Sequence, residues 1–190
     1  RIVYSTHRQF RCLLEGLAYV DEIAPYPLPV ADFPHDAIVW LGGVIEDNPR
    51  ANEIHACDVI AERAGIEIED YIIDLPVKLP DISAKYPGTD KIRIGIQLSA
   101  SALCRSISPE TIAAIIHEFR DCELFLFDQP GSSTFPETGS IINMSARKTS
   151  FMESCAVVES CHVLITPDSA LFHVGGALGV PTVGVFGPFP

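Results

Sequence analysis

From residue 91 onward the sequence repeats one pattern: a short apolar run, a polar break, then a stretch with helical spacing. "KIRIGIQL" (91–98) alternates apolar and polar residues as a strand does. "CELFLF" (122–127) reads as a buried strand, and "HVLIT" (162–166) and "PTVGVF" (181–186) as two more. Between them, Ser108-Pro109-Glu110 opens a helix with a serine N-cap, a proline at the first position and an acid in the first turn. Ile112, Ile115, Ile116 and Phe119 form its apolar stripe. Ser150 to Glu153 fits a capping box that opens a helix to about Ser160, and a further helix begins near Ser169. Residues 128–140 are a polar Gly/Ser/Pro-rich loop. Strand–helix alternation at this spacing predicts an α/β fold, a parallel sheet with helices on its faces.

The first half carries a weaker version of the pattern. Residues 2–5 and 21–24 read as short strands, 8–18 as a helix and "DAIVWLG" (36–42) as a firmer strand. Residues 49–64 place Ile54, Cys57, Ile60, Ala61 and Ala64 on one helical face. "DLPVKLPDISAKYPGTD" (74–90) has three prolines and little periodicity. It divides the chain into a domain at 1–75, a linker at 76–90 and a domain at 91–190.

With 190 residues, 47% apolar and 20% charged, the chain can bury a substantial core. No apolar run approaches the roughly 20 residues of a membrane-spanning helix. The start, RIVYSTHRQF, has no apolar signal core, so no export signal is expected. The net charge is −12, with 16 acids against 7 basic residues before position 91. No basic face is visible for nucleic acid, and a small-molecule ligand fits the charge better. The six cysteines form no C-x-x-C pair and read as reduced thiols of a cytoplasmic protein. A zinc site at His55 and Cys57 is the sharper alternative.

In an open parallel sheet, ligands bind beyond the carboxyl ends of the strands. Two loops there stand out. "LSASALCRSISPE" (98–110) is rich in small hydroxyl residues and holds one cation, Arg105. Thr166-Pro167-Asp168-Ser169 leads into a helix whose first N–H groups and dipole suit an anion. His173, four residues after Ser169, lies on the same helical face. From Thr149 to Pro190 there is no lysine or arginine, so a cation must come from Arg105, Arg147 or Lys148. The plainer alternatives are open. Asp168 and Ser169 serve as ordinary helix caps, His173 is structural, and Arg105 is a solvated charge. Gly175, Gly176 and Ala177 allow close helix packing, and Gly187-Pro188 is a turn.

"TPDSALFHVGGALGVPTVGVFGP" resembles the C-terminal signature of the lipopolysaccharide heptosyltransferases, glycosyltransferase family nine. Asp168, Ser169, His173, Ala177, Leu178, Gly179, Pro181, Val183, Phe186, Gly187 and Pro188 match it at fixed spacing. "KTSFMESCAVVESCHVLITPDS" is similar to the family's preceding segment, and "IGIQLSASALCRSISPETIAAII" to its strand, Ser-rich loop and helix. The likeness is strong from 91 and loose before it, where "DAIVWLGG" and "ANEIHACDVIAERAGI" resemble parts of an N-terminal domain. Three departures stand out: Ala170 replaces the usual glycine, "RSIS" (105–108) lacks the usual aromatic and proline, and the family's first strand and Gly-Asp loop have no counterpart.

The resemblance implies a GT-B architecture of two Rossmann-like domains, 1–75 on the acceptor side and 91–190 binding the nucleotide sugar, incomplete at both ends. It implies transfer of a sugar, heptose from ADP-heptose, to a lipopolysaccharide core or similar glycan, with inversion, no metal and no cofactor beyond the donor. Carried over position by position, Asp168, Ser169, Ala170, His173 and Arg105 would line the donor diphosphate. Lys148, Thr149 and the 128–131 loop, with Gln129, would lie near the nucleoside, and Glu153 matches a family acid. The acid that takes the acceptor's proton sits in the Gly-Asp loop, so no catalytic base is assigned. The implied location is cytoplasmic, with peripheral contact at the inner membrane. Two alternatives are a sugar-nucleotide epimerase of similar fold and a non-catalytic nucleotide-sugar-binding fragment. A hydrolase using Ser169 and His173 is rejected, because no G-x-S-x-G turn occurs.

Overall fold

The computed structural model describes residues 1–34, 36–50, 53–71, 78–147 and 149–187. The chain forms two compact units, one of Arg1–Arg11 and Tyr19–Ile72, the other of Cys12–Ala18 and Ile73–Pro190.

In the first unit, β1 (Val3–Thr6) and β2 (Glu22–Pro25) pair in parallel, and α1 spans Ala56–Ala64. Three expectations change here. The helix expected over 8–18 is a 3-10 segment, Arg8–Leu13, and Gly16 at φ +86° ends any continuation. The run 36–42 forms no strand. It finds no ladder partner among the described residues, and Ile38, Val39, Trp40 and Leu41 stay 38–49% exposed. Apolar character alone does not make a strand without an edge to pair with. The helix expected over 49–64 begins only at Ala56, and residues 51 and 52 of that span lie outside the described ones. His55 is its N-cap: the ring Nδ1 accepts from the Cys57 N–H at 3.2 Å. Val59 and Ala61 face inward, while Cys57 is exposed.

The second unit is a five-stranded parallel sheet. Its strands are β3 (Arg93–Gln97), β4 (Glu123–Phe127), β5 (Ile141–Asn143), β6 (Val163–Pro167) and β7 (Thr182–Val185), in the spatial order β5-β4-β3-β6-β7. The helices are α2 (Pro109–Glu118), α3 (Phe151–Glu159) and α4 (Ala170–Ala177). β5 went unseen in the sequence because its three residues sit at the end of a Gly/Ser/Pro-rich loop.

Period-two alternation divides the core between the two faces of the sheet. Ile94, Ile96, Leu124, Leu126 and Ile165 pack on one face with Ile112 of α2. Phe125, Phe127 and Leu164 pack on the other, with Val157 and Val158 of α3 and Leu171 and Val174 of α4. Leu79, Ile82 and Tyr86, from the expected linker, join this second cluster, while residues 76 and 77 lie outside the described ones. Gly175 seats α4 on the sheet: a Cβ there would meet Thr182 Oγ1 at 2.4 Å and Leu164 Cδ2 at 2.9 Å. Gly176, one residue on, has open space.

The strand order places chain reversal at β3. From there the chain moves outward to β4 and β5, then returns across the sheet to β6 and β7. The carboxyl ends of β3 and β6 therefore flank a topological switch point, where the connecting helices diverge and leave a crevice.

Candidate functional site

A cavity of about 390 Å³ opens at that switch point. Each wall is the loop that follows one strand. Gln97 ends β3 and Ser99, Ala100, Ser101 and Arg105 follow it, Asp128 and Gln129 follow β4, and Asp168, Ser169, Ala170 and His173 follow β6. Its size lies within the range of small-molecule sites.

The β6 wall is built around Gln97, the last residue of β3. Its Oε1 accepts from Ser169 Oγ at 2.5 Å and from Thr166 Oγ1 at 3.1 Å, and the two hydroxyls lie 3.1 Å apart. Its Nε2 donates to the Ser99 carbonyl at 3.0 Å, which fixes the orientation of the amide. Ser169 is the N-cap residue of α4, yet its hydroxyl makes no bond to the helix's first turn. The reading of Ser169 as an ordinary helix cap fails for that reason, since its hydroxyl is committed to β3.

Arg105 ends a 3-10 turn, Leu103–Arg105. Its guanidinium donates to Ser101 Oγ, and its Nη1 lies 3.4 Å from Asp168 Oδ2. The pair is long and partly exposed, with side chains 23% and 38% accessible. Such pairs contribute only ~0–1 kcal/mol, so a ligand phosphate can replace the carboxylate at small cost. The loop is held from below: Ser106 Oγ accepts from Ala100 N–H at 3.0 Å and donates to the Ala102 carbonyl at 3.1 Å.

Gly187 supplies a contact that the sequence did not announce. A Cβ there would lie 2.3 Å from the carbonyl oxygen of Cys104. The segment after β7 thus abuts the backbone that carries Arg105, and only glycine fits. Pro188 lies outside the described residues.

At the β4 wall, Asp128 accepts from Ser99 Oγ and from the Gln129 N–H, the latter at 2.8 Å. The buried Ser145 donates to the Gln129 carbonyl at 2.7 Å and receives the Ser133 N–H at 3.2 Å. Buried Asn143 donates to the Phe135 carbonyl at 2.7 Å. This network anchors the loop on which Gln129 sits.

Six of the residues singled out in the sequence therefore line one cavity: Asp168, Ser169, Ala170, His173, Arg105 and Gln129. Thr149 is not among the lining residues, and its hydroxyl donates to the Met144 carbonyl at 3.2 Å. Lys148 lies outside the described residues. Arg147 is bound to Glu137 at 2.7 Å, and Glu153 to Lys85 at 2.5 Å. Gln97, Asp128, Ser99 and Ser101 line the cavity as well; the loops of Ser99, Ser101 and Asp128 were singled out in the sequence, and Gln97 was missed. The usable signal was topological: each lies at the carboxyl end of a central strand or in the loop after it. Among the described residues no three His, Cys, Asp or Glu converge as a metal site.

Chemically, the cavity presents one guanidinium, one imidazole, several hydroxyls and the N-terminal end of α4. Donors converging at a helix start are suited to a phosphate group. Asp128 adds an acceptor that can take hydroxyl protons.

Residues 138–190 match the family model for glycosyltransferase family 9 (heptosyltransferase). No curated protein matches the chain in sequence. Among solved structures, 97% of the chain superposes on the iron-containing dodecameric glycosyltransferase TibC of enterotoxigenic E. coli H10407, at TM-score 0.66 and 12% identity. A family 9 glycosyl transferase of Veillonella parvula DSM 2008 gives TM-score 0.65 at 16% identity over 97% of the chain and 71% of its own. The E. coli ADP-heptose lps heptosyltransferase II gives 0.57 at 14%, over 100% of this chain and 76% of its own. The chain spans 49% of the length of TibC. At these identities the structures speak for the fold, and the family match covers the segment that builds the β6 wall, α4 and β7. In fold, and in sequence over residues 138–190, the chain thus carries the pattern of the family 9 glycosyltransferases.

Proposed function

We propose that the cavity binds the diphosphate of a nucleotide-sugar donor, and that the protein transfers the donor's sugar to a glycan acceptor. The observation that carries this reading is the convergence of Arg105, Ser169, His173 and the open end of α4 at the switch point. These residues fall within or face the segment that matches the family model. ADP-heptose is the donor we assign, with a lipopolysaccharide core or similar glycan as acceptor. Both follow from the family likeness.

In this proposal the acceptor hydroxyl attacks the anomeric carbon and inverts it while a carboxylate takes its proton and the bond to the diphosphate breaks. Negative charge gathers on the departing diphosphate. Arg105 meets it from the β3 loop, exchanging its long contact with Asp168 for a shorter one to phosphate. His173 and the first N–H groups of α4 meet it from the other side. These fixed donors, with no metal and no further cofactor, stabilise the charge where it develops. Gln129, which lines the cavity, is assigned to the nucleoside side. The setting we propose is cytoplasmic with peripheral contact at the inner membrane, and among the described residues no helix is long and apolar enough to cross a membrane.

Calorimetric titration with ADP, GDP and UDP tests the donor class, and ADP is expected to bind best. Heat from none of the three would remove the nucleotide-sugar reading. Incubation with ADP-heptose and a lipid A–Kdo acceptor then separates a transferase from a binding module: release of ADP coupled to acceptor glycosylation is expected, and binding without transfer would leave only the binding module.

A further inference from the structure

We propose that Gln97 is a positioning residue: its amide keeps Ser169 off the first turn of α4 and so leaves that helix end open to the donor diphosphate. The inference rests on the donor reading above. It comes from a comparison within the molecule. Among the described residues, the three α-helices of the second unit all begin at a serine. Ser108 (φ −66°, ψ 149°) accepts from the Thr111 N–H at 3.2 Å, and Ser150 (φ −70°, ψ 159°) from the Glu153 N–H at 3.1 Å. Both are ordinary caps, bonded to the third helical amide. Ser169 holds the same position with a fully extended backbone (φ −160°, ψ 176°); its hydroxyl caps nothing, and the third helical amide, Phe172 N–H, donates to its carbonyl at 3.1 Å. It is the one of the three that lines the cavity.

Gln97 accounts for the difference. Its oxygen receives both Ser169 and Thr166, so the hydroxyl that would cap α4 is drawn toward β3. The Ser99 carbonyl holds the other end of the amide, so the oxygen cannot turn away. A self-capped helix would offer a ligand one fewer amide, and an entering phosphate would first have to break the cap. Gln97 removes that competition before the ligand arrives. The cost falls on helix stability, the gain on anion affinity.

A positioning glutamine differs from a purely structural one in a rescue by a second substitution. Gln97→Met keeps length and volume but removes the acceptor, so Ser169 is free to rotate and cap Leu171, the Phe172 amide being bonded already to the Ser169 carbonyl at 3.1 Å. ADP affinity is expected to fall about tenfold, the scale of one N-cap bond. Hydrogen exchange of the Leu171 amide is expected to slow. In Gln97→Met/Ser169→Ala no cap can form, and ADP affinity should return to that of Ser169→Ala alone. Gln97→Asn, whose shorter amide cannot reach Ser169, is expected to act in the same direction and serves if the methionine variant does not fold. Unchanged ADP affinity in both Gln97 variants, unchanged exchange, or a double variant as weak as Gln97→Met would overturn the proposal. If wild-type protein binds no ADP, the donor reading falls, while the exchange measurement still decides whether Gln97 controls Ser169.

Discussion

Two adjacent glycines in α4 allow a sharp test of how this helix is seated. Gly175 is buried and Gly176 exposed. In both, alanine should improve helix stability by up to about 1 kcal/mol, because glycine has more freedom to lose. At Gly176 a Cβ meets nothing within 4 Å, so that gain stands alone. At Gly175 it would meet Thr182 Oγ1 at 2.4 Å and Leu164 Cδ2 at 2.9 Å. Neither neighbour yields easily. Thr182 is stiff at its β-branch and donates to the Val180 carbonyl at 2.8 Å, and Leu164 is fully buried. Relieving the contact needs a displacement of about 1 Å, and overpacking of this kind costs about 1–3 kcal/mol. Gly176→Ala should therefore raise stability by about 0.5–1 kcal/mol and Gly175→Ala lower it by about 0.5–2 kcal/mol. Urea unfolding followed by circular dichroism at 222 nm measures both, with unchanged slopes. The displacement also moves Ser169 and His173 against Arg105, so Gly175→Ala should weaken ADP binding and Gly176→Ala should not. Equal stabilisation by both substitutions would refute the seating of α4 on β6 and β7.

Three further predictions concern the site and the core. His173→Ala should weaken ADP binding by about 1–3 kcal/mol, the loss of one charge-assisted hydrogen bond, and unchanged affinity by calorimetry would make the histidine structural. Gly187→Ala should push the Cys104 carbonyl away, displace Arg105 and raise the Kd for ADP severalfold; an unaltered Kd would show that the close approach does not govern Arg105. Burial pushes the thiols of Cys155 and Cys161 up to about 12. The folded state then holds protons that the unfolded state releases, so this contribution to stability is present below about pH 9 and lost as pH rises toward 12. A disulfide-exchange reagent at pH 8 should accordingly label exposed Cys57 and Cys104 quickly and leave Cys155 and Cys161 intact until unfolding; rapid native labelling of all six would contradict the core as described.

Much of the second unit was legible because local signals agreed. The β3, β4, β6 and β7 segments are apolar runs that alternate with stretches of helical spacing, and Ser108 and Ser150 cap as their spacing implied. Where one signal stood alone it misled. The run 36–42 is apolar but finds no pairing edge among the described residues, and the helix expected at 8–18 is interrupted by a glycine at positive φ. The site was legible to the same degree. Asp168, Ser169, His173 and Arg105 could be chosen from helix starts and charge scarcity. Gln97 could not, because Ser169 is distant in sequence and only the parallel pairing of β3 with β6 brings them together. Nor could Ser169 be told from an ordinary cap, since cap and donor use the same residue at the same position.

The central claim is that the cavity between β3 and β6 is a diphosphate site, and the most direct measurement is an amide chemical-shift map of the protein titrated with ADP. The account predicts saturable shifts confined to residues 99–106, 128–129 and 168–173, diminished in Arg105→Ala. Saturable shifts elsewhere with these three loops unmoved, or no shifts at all, would contradict it.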